Sequence, residues 1–214
     1  MLKMSEQYST EWFAERRGKA TASRIADIIS KTRTGWGASR TNYAAQLIAE
    51  RLTDETQESY TNAAMQWGID TEPRARVAYE FFSDNAVTEV GFVVHPRLDQ
   101  AGASPDGLVG DTGLVEIKCP NTATHIATLL SQAVPAKYIV QMQWQMACTE
   151  RDWCDFVSFD PRMPERLCLF TRRILRDSAK LEQLESDVAE FLAEIDTKIA
   201  QLNALHQQAS ATGE

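Results

Sequence analysis

The sequence predicts an α/β fold with a mixed central β-sheet flanked by helices. Three observations carry that expectation: helical apolar spacing over the first 83 residues, short β-branched runs separated by Gly, Pro and Asp corners in the middle, and one long helical stripe at the end. In order, residues 9–30 read as helix-rich. Ser9 or Thr10 caps a first turn containing Glu11, and a second helix starts near residues 21–23 with Ile25, Ile28 and Ile29 on one face. The stretch SKTRTGWGASRTN, with two glycines, three basic residues and a Trp, reads as a loop. Residues 42–52 and about 61–83 are helical by pattern, the second with Val77, Phe81 and Phe82 as its apolar face. Residues 87–96, VTEVGFVVHP, read as a strand ending at Pro. AGASPDGLVG and LVEIKCP, joined through DTG, read as a hairpin. Residues 136–150 return to helix, WCDFVSFDP and ERLCLFTRRIL read as two strands, and residues 177–208 form one long helix. Its stripe is Leu181, Leu184, Val188, Phe191, Leu192, Ile195, Ile199 and Leu202. No repeat interrupts this order.

The 214 residues, 43% hydrophobic, suit a single domain spanning 1–214 with a sizeable core, and 18 aromatic residues speak against disorder. No run approaches the roughly 20 apolar residues that span a bilayer. The start, MLKMSEQYSTEW, lacks the apolar region of a signal peptide, so the cytoplasm is the expected location and no membrane partner is expected. Cys119, Cys148, Cys154 and Cys168 form no C-x-x-C pair and read as reduced core thiols. His95, His125 and His206 are too scattered for a zinc site. The net charge is −8, but it is uneven. Residues 1–40 hold eight Lys and Arg against four Asp and Glu, and residues 177–214 hold eight acids against two lysines. Such asymmetry suits an acidic protein that binds nucleic acid along one basic surface, and also fits ordinary solvated faces.

The chemistry concentrates in SPDG…EIK. Asp106 sits at a Pro-Asp-Gly corner that exposes its carboxylate. Glu116 and Lys118 are two apart on a strand and share a face, while Ile117 points the other way. Antiparallel pairing then sets Asp106 beside them. Two carboxylates, with the Ile117 carbonyl as a further oxygen, suit a hard divalent cation such as Mg²⁺, with Mn²⁺ as the alternative. Such an ion polarises a phosphate and acidifies its bound water. Lys118 could position that water, help deprotonate it or stabilise transition-state charge. Taken alone, an acid, an acid and a lysine on strands are common enough to be a surface ion pair.

The surrounding motifs make the pattern specific. SPDG…EIK resembles the PD-(D/E)-x-K nuclease signature. WFAERRGKATASRIADII, MQWGIDTEPRAR, AGASPDGL, LVEIKCP and YIVQMQWQMACT, in that order, resemble the phage lambda exonuclease family, also called the YqaJ-type viral recombinases. The resemblance runs from about Trp12 to Pro164 and implies a restriction-endonuclease-like core.

On that resemblance, Asp106 and Glu116 match metal-binding carboxylates and Lys118 the catalytic lysine. Glu72 matches a helical acid near the metals, and Gln141 a glutamine that orients water or phosphate, with Gln143 a weaker candidate. Arg16 and Ser23 match a 5′-phosphate pocket, with Thr21 and Ser104 as neighbours; a helix N-terminus and a guanidinium both suit phosphate. Trp12 reads as a core anchor. Arg33 matches a position that reaches along DNA, and Met65 an apolar residue that helps part the strand ends. The resemblance implies two Mg²⁺ per site and 5′-to-3′ digestion of duplex DNA ends to mononucleotides, leaving a 3′ overhang. It also implies a trimeric ring and a single-strand annealing partner in phage recombination. An endonuclease and a non-catalytic DNA clamp are the competing expectations.

Overall fold

A computed structural model describes residues 5–57 and 62–211, with side chains through Leu205, so Met1, Thr61 and the imidazole of His206 lie outside the described residues. The chain opens with α1 (Thr10–Arg16), β1 (Ala20–Thr21), a 3-10 turn and α2 (Ile25–Ile28). A hairpin of β2 (Lys31–Thr32) and β3 (Gly35–Trp36) leads to α3 (Ala38–Thr53) and α4 (Ala63–Ser83). Next come β4 (Val87–Thr88), β5 (Val93–Val94), β6 (Ala101–Ala103), β7 (Gly107–Val109) and β8 (Gly113–Lys118). Then follow α5 (Thr122–Ser131), α6 (Ala136–Thr149), β9 (Trp153–Phe159), β10 (Leu169–Leu175) and α7 (Ser178–Ala211). No described helix is long and apolar enough to cross a membrane.

The mixed α/β expectation holds. Five strands align in the order β10-β9-β8-β7-β4, and three more in the order β1-β6-β5. β8 pairs antiparallel with β7 and parallel with β9, so the chain must cross over between β8 and β9; α5 and α6 make that crossing. Both faces of β8 are covered. Val115 and Ile117 meet Ala75 and Tyr79 of α4. On the other face Leu114 packs with Met142 and Met146 of α6 and with Phe156 and Phe170. A third cluster joins α7 to α2, α3 and α6 through Leu184, Val188, Phe191 and Ile195. Burying each large side chain there contributes about 1.5–3 kcal/mol.

Ser9 caps α1 by accepting from the Trp12 N–H. The expected loop at 30–42 is instead a two-residue hairpin followed by the first turn of α3. Trp36 anchors that hairpin between Lys31 and Arg40, 4.6 and 3.9 Å from its ring. Arg40 itself donates to Glu194 on α7 and to the Ile28 carbonyl. Residues 87–96 split between two sheets. The long last helix runs Ser178–Ala211, but Leu202 at its far end is exposed.

The expected apolar face of α4 is overturned. Val77, Phe81 and Phe82 are 65%, 78% and 52% exposed, and the buried face is Thr71, Ala75 and Tyr79. Close packing on the sheet favours small side chains plus one tyrosine whose hydroxyl donates to Asp155. α5 was not expected. Its Asn121 cap is a good start signal, but it buries His125 and Thr128 and exposes Leu130, so no apolar stripe marks it. Pro73 lies inside α4, where it lacks the N–H that would bond the Ile69 carbonyl.

Candidate active site

Gly107 pairs with Val115 in the β7–β8 ladder, which sets Asp106 beside Glu116. The close approach of β4 requires glycine there, since a Cβ on Gly107 would lie 2.1 Å from Val87 Cγ1. Asp106 Oδ2 accepts the Ile117 backbone N–H at 2.6 Å. Lys118 Nζ contacts Glu116 Oε1 in a short ion pair. The period-2 reading of β8 therefore holds: Glu116 and Lys118 share one face, and Ile117 enters the core on the other.

α6 lies over that face. Gln141 Nε2 donates to Glu116 Oε1 at 2.8 Å, and Gln145 Nε2 donates to Glu116 Oε2 at 2.5 Å. Residues four apart on a helix fall on one side, so the two amides clamp both oxygens of one fully buried carboxylate. Gln145 was missed in the sequence, although the Gln-x-x-x-Gln spacing was there to be read. Gln143 faces elsewhere, tying the Leu175 carbonyl and the Asp177 N–H. Glu72, on α4, pairs with Arg76 at 2.9 Å, and Arg76 also reaches Glu89.

The electrostatics are those of crowded acids around one lysine. Burial, then the Glu116 and Glu72 carboxylates, holds the Asp106 carboxyl well above its usual range. Burial also lifts Glu72, against the pull of Arg76 and Lys118. For Lys118, burial favours loss of its proton, but Glu116 and Asp106 outweigh that and raise it above the ordinary lysine range. Burial pushes the adjacent Cys119 thiol up to about 12, so it stays protonated at neutral pH. As the side chains stand, no three His, Cys, Asp or Glu among the described residues converge to hold an ion. Each carboxylate is turned to an internal donor: Lys118, Gln141 and Gln145 for Glu116, the Ile117 N–H for Asp106, Arg76 for Glu72. The donor set nonetheless fits a hard divalent cation: carboxylate oxygens in excess of the one lysine charge, with mutual repulsion that a cation relieves.

Next to this centre opens a cavity of about 350 Å³ lined by Tyr8, Trp12, Arg16, Thr21, Ser23 and Met65, among others. Arg16 lies 4.1 Å over the Trp12 ring and donates to Ser104 Oγ at 3.1 Å. Trp12 Nε1 donates to the same hydroxyl at 2.9 Å. Burial pulls the Arg16 guanidinium below its ordinary range, and Arg16 forms no ion pair with any described residue. Its neighbour Arg17 is already paired with Asp54. Thr21 is buried, its N–H bonded to the Tyr43 hydroxyl, while Ser23 is exposed. Burial and the Glu72 and Asp106 carboxylates push the Tyr8 phenol up to about 12.

The structure thus brings Asp106, Glu116, Lys118, Glu72 and Gln141 together. It gathers Arg16, Thr21, Ser23 and Met65 around one cavity, with Ser104 between the two groups. Arg33 stays apart, exposed in the turn between β2 and β3. Tyr8 and Gln145 are additions from the structure.

The YqaJ-like viral recombinase domain matches residues 11–152. An alkaline exonuclease from Laribacter hongkongensis is 50% identical, with a TM-score of 0.89 over 94% of this chain and 100% of that one. Its complex with dAMP aligns at 52% identity, with the same TM-score and coverage. A phage-related exonuclease from Haemophilus somnus 129PT shares the fold, with a TM-score of 0.71 at 16% identity over 86% of this chain and 96% of that one. No curated protein matches the chain. Family match, identity and the acid–lysine centre agree: the chain belongs to the YqaJ-like viral recombinase family and is a nuclease.

Proposed function

We propose that the protein is a Mg²⁺-dependent 5′-to-3′ exonuclease on linear duplex DNA, releasing mononucleotides and leaving a 3′ single-stranded overhang. The observation that carries this reading is the adjacency of two sites. Ser104 accepts from Arg16, which lines the cavity, and Asp106, two residues on, lies beside Glu116 and Lys118. A half-buried guanidinium with no ion-pair partner among the described residues is suited to a terminal phosphate, and its distance along the strand from the acidic centre sets where cleavage falls.

Asp106, Glu116 and the Ile117 carbonyl would hold the metal, with Glu72 joining directly or through water. Bound Mg²⁺, or Mn²⁺ in its place, and two ions at full occupancy, would supply a polarised phosphate and a water acidic enough to attack. The protein's own part is to place Lys118 at that water and at the developing phosphate charge. Gln141 and Gln145 meanwhile hold Glu116 in orientation. Met65, exposed at the start of α4, sits where it could part the strand ends, and Arg33 would lie along the incoming duplex. An endonuclease needs no end pocket, so the Arg16 cavity favours the exonuclease over that alternative, and the intact acid–lysine centre favours it over a non-catalytic clamp.

The relative's complex with dAMP supports a nucleotide-sized product site. We also assign a homotrimeric ring, acting in the cytoplasm of a bacterial host with a single-strand annealing protein. The exposed Val77, Phe81 and Phe82 on α4 suit a contact between copies.

The test is digestion of end-labelled linear duplex, with a 5′-phosphate or a 5′-hydroxyl, with Mg²⁺ or with chelator. The expected result is loss from 5′ ends only, faster on phosphorylated ends and dependent on the metal. Loss from 3′ ends, or cutting of closed circular duplex, would overturn the assignment. The solution mass of the same preparation reads the ring: three copies are expected, and a monomer would refute it.

A further inference from the structure

Five described non-glycine residues have a positive φ. Four of them, Asp54, Asp84, Gln132 and Glu150, are the left-handed residues that close α3, α4, α5 and α6, a common way to end a helix. The fifth, Tyr8 at φ 67°, closes no helix. It occupies a turn in which the Ser9 N–H donates to the Glu6 carbonyl, at a position where glycine would be unstrained. A bulky aromatic residue in this conformation is rare, and it persists only when its surroundings hold it.

Here they do. On one side Gln7 Nε2 donates to the carbonyls of Val90 and Pro105, at 2.9 and 2.8 Å, fastening the turn to the segment that carries Asp106. On the other, Ser9 begins α1 as its cap. The result projects the Tyr8 ring across the cavity mouth. It lies 5.3 Å from the Trp12 ring, is 48% exposed, and is close enough to feel Arg16 on one side and Glu72, Asp106 and Lys118 on the other. Exposed Phe13 and Met65 flank the same opening. The cavity therefore sets basic groups, Arg16 among them and Glu50 the one acid, against an apolar aromatic rim, a division like the one a nucleotide presents between phosphate and base.

We propose that Tyr8 is a substrate-contact residue, its ring stacking on the base of the 5′-terminal nucleotide whose phosphate sits on Arg16. This rests on the exonuclease assignment above for the identity of that nucleotide. Stacking needs only a π face, so the contact is indifferent to sequence, as an exonuclease requires. The strain also explains why the residue is not glycine: the turn alone would favour one, and the ring is what glycine lacks.

The test compares wild type, Tyr8→Gly and Tyr8→Phe by calorimetric titration with dGMP and with inorganic phosphate, alongside Tm and digestion of duplex DNA. Tyr8→Gly suits the positive φ, so its Tm should equal or exceed that of wild type. Its affinity for dGMP should fall about tenfold while its affinity for phosphate stays unchanged, and Tyr8→Phe should restore dGMP binding. Equal dGMP affinity in wild type and Tyr8→Gly, in a protein that digests duplex ends, would overturn the Tyr8 contact and leave the exonuclease assignment standing. Tyr8-dependent dGMP binding by a protein that digests no duplex would support the contact and overturn the assignment instead.

Discussion

The acidic centre and the arginine cavity treat charge in opposite ways, though only Pro105 separates Asp106 of the first from Ser104, which holds Arg16 of the second. At the centre Glu116 is fully buried and accepts from Lys118, Gln141 and Gln145, and Asp106 accepts a backbone N–H. In the cavity Arg16 has a hydroxyl and an aromatic ring for company and no ion pair with any described residue, although the Glu50 carboxylate lines the same cavity. The first site is assembled by the fold, from a central strand and the helix above it. In the second, a half-buried cation has no ion-pair partner among the described residues and keeps its charge available to an anion. Under the proposed function, chemistry requires fixed oxygens and recognition of a strand end an unmet charge.

Substitutions can break that contrast one side at a time. The largest effect is expected at the centre. Lys118→Ala should lower the digestion rate by about 10²–10⁴-fold while leaving DNA binding nearly intact, measured by single-turnover digestion beside a binding titration. A variant that digests like wild type would remove Lys118 from the chemistry. Next, Gln145→Leu removes one of the two amide clamps without adding charge. It should weaken Mg²⁺ activation by about 10–100-fold, shifting the metal concentration for half-maximal rate more than the rate at saturation. A purely packing role for Gln145 would lower Tm and leave that metal curve in place. Smallest is the cavity. Arg16→Ala should erase the preference for 5′-phosphorylated over 5′-hydroxyl ends, a change of about tenfold, the scale of one charge-assisted hydrogen bond. Arg16→Lys should restore little, because a point charge lacks the fork and cannot stack on Trp12 in the same way. A preference that survives in Arg16→Ala would assign end recognition to other basic residues.

Much of the centre was legible because it obeys local rules. Alternation along a strand put Glu116 and Lys118 together, and a tight hairpin put Asp106 beside them. Gln145 was not legible in that way. Its role depends on α6 docking over β8 with one particular face down, a meeting of two residues 29 apart in sequence that neither element reveals alone. Gln141 entered through family resemblance, and the same helix carried Gln145 unnoticed. α4 shows the converse error. Val77, Phe81 and Phe82 form the more apolar face, yet the sheet accepts Ala75 and Tyr79 because they allow closer approach.

By itself the sequence determined the alternation of elements, the strand face carrying Glu116 and Lys118, the corner at Asp106 and the basic character of the first 40 residues. These follow from backbone periodicity, turn chemistry and composition, which act over a few residues. Tertiary structure alone decided which face of α4 is buried, that Gln145 reaches Glu116, that Trp12 shares the Ser104 hydroxyl with Arg16, and that Tyr8 is held in a glycine-like conformation at the cavity mouth. Each of these depends on packing between distant segments, where the cost of a buried polar group or a strained backbone is offset by contacts that no local pattern encodes.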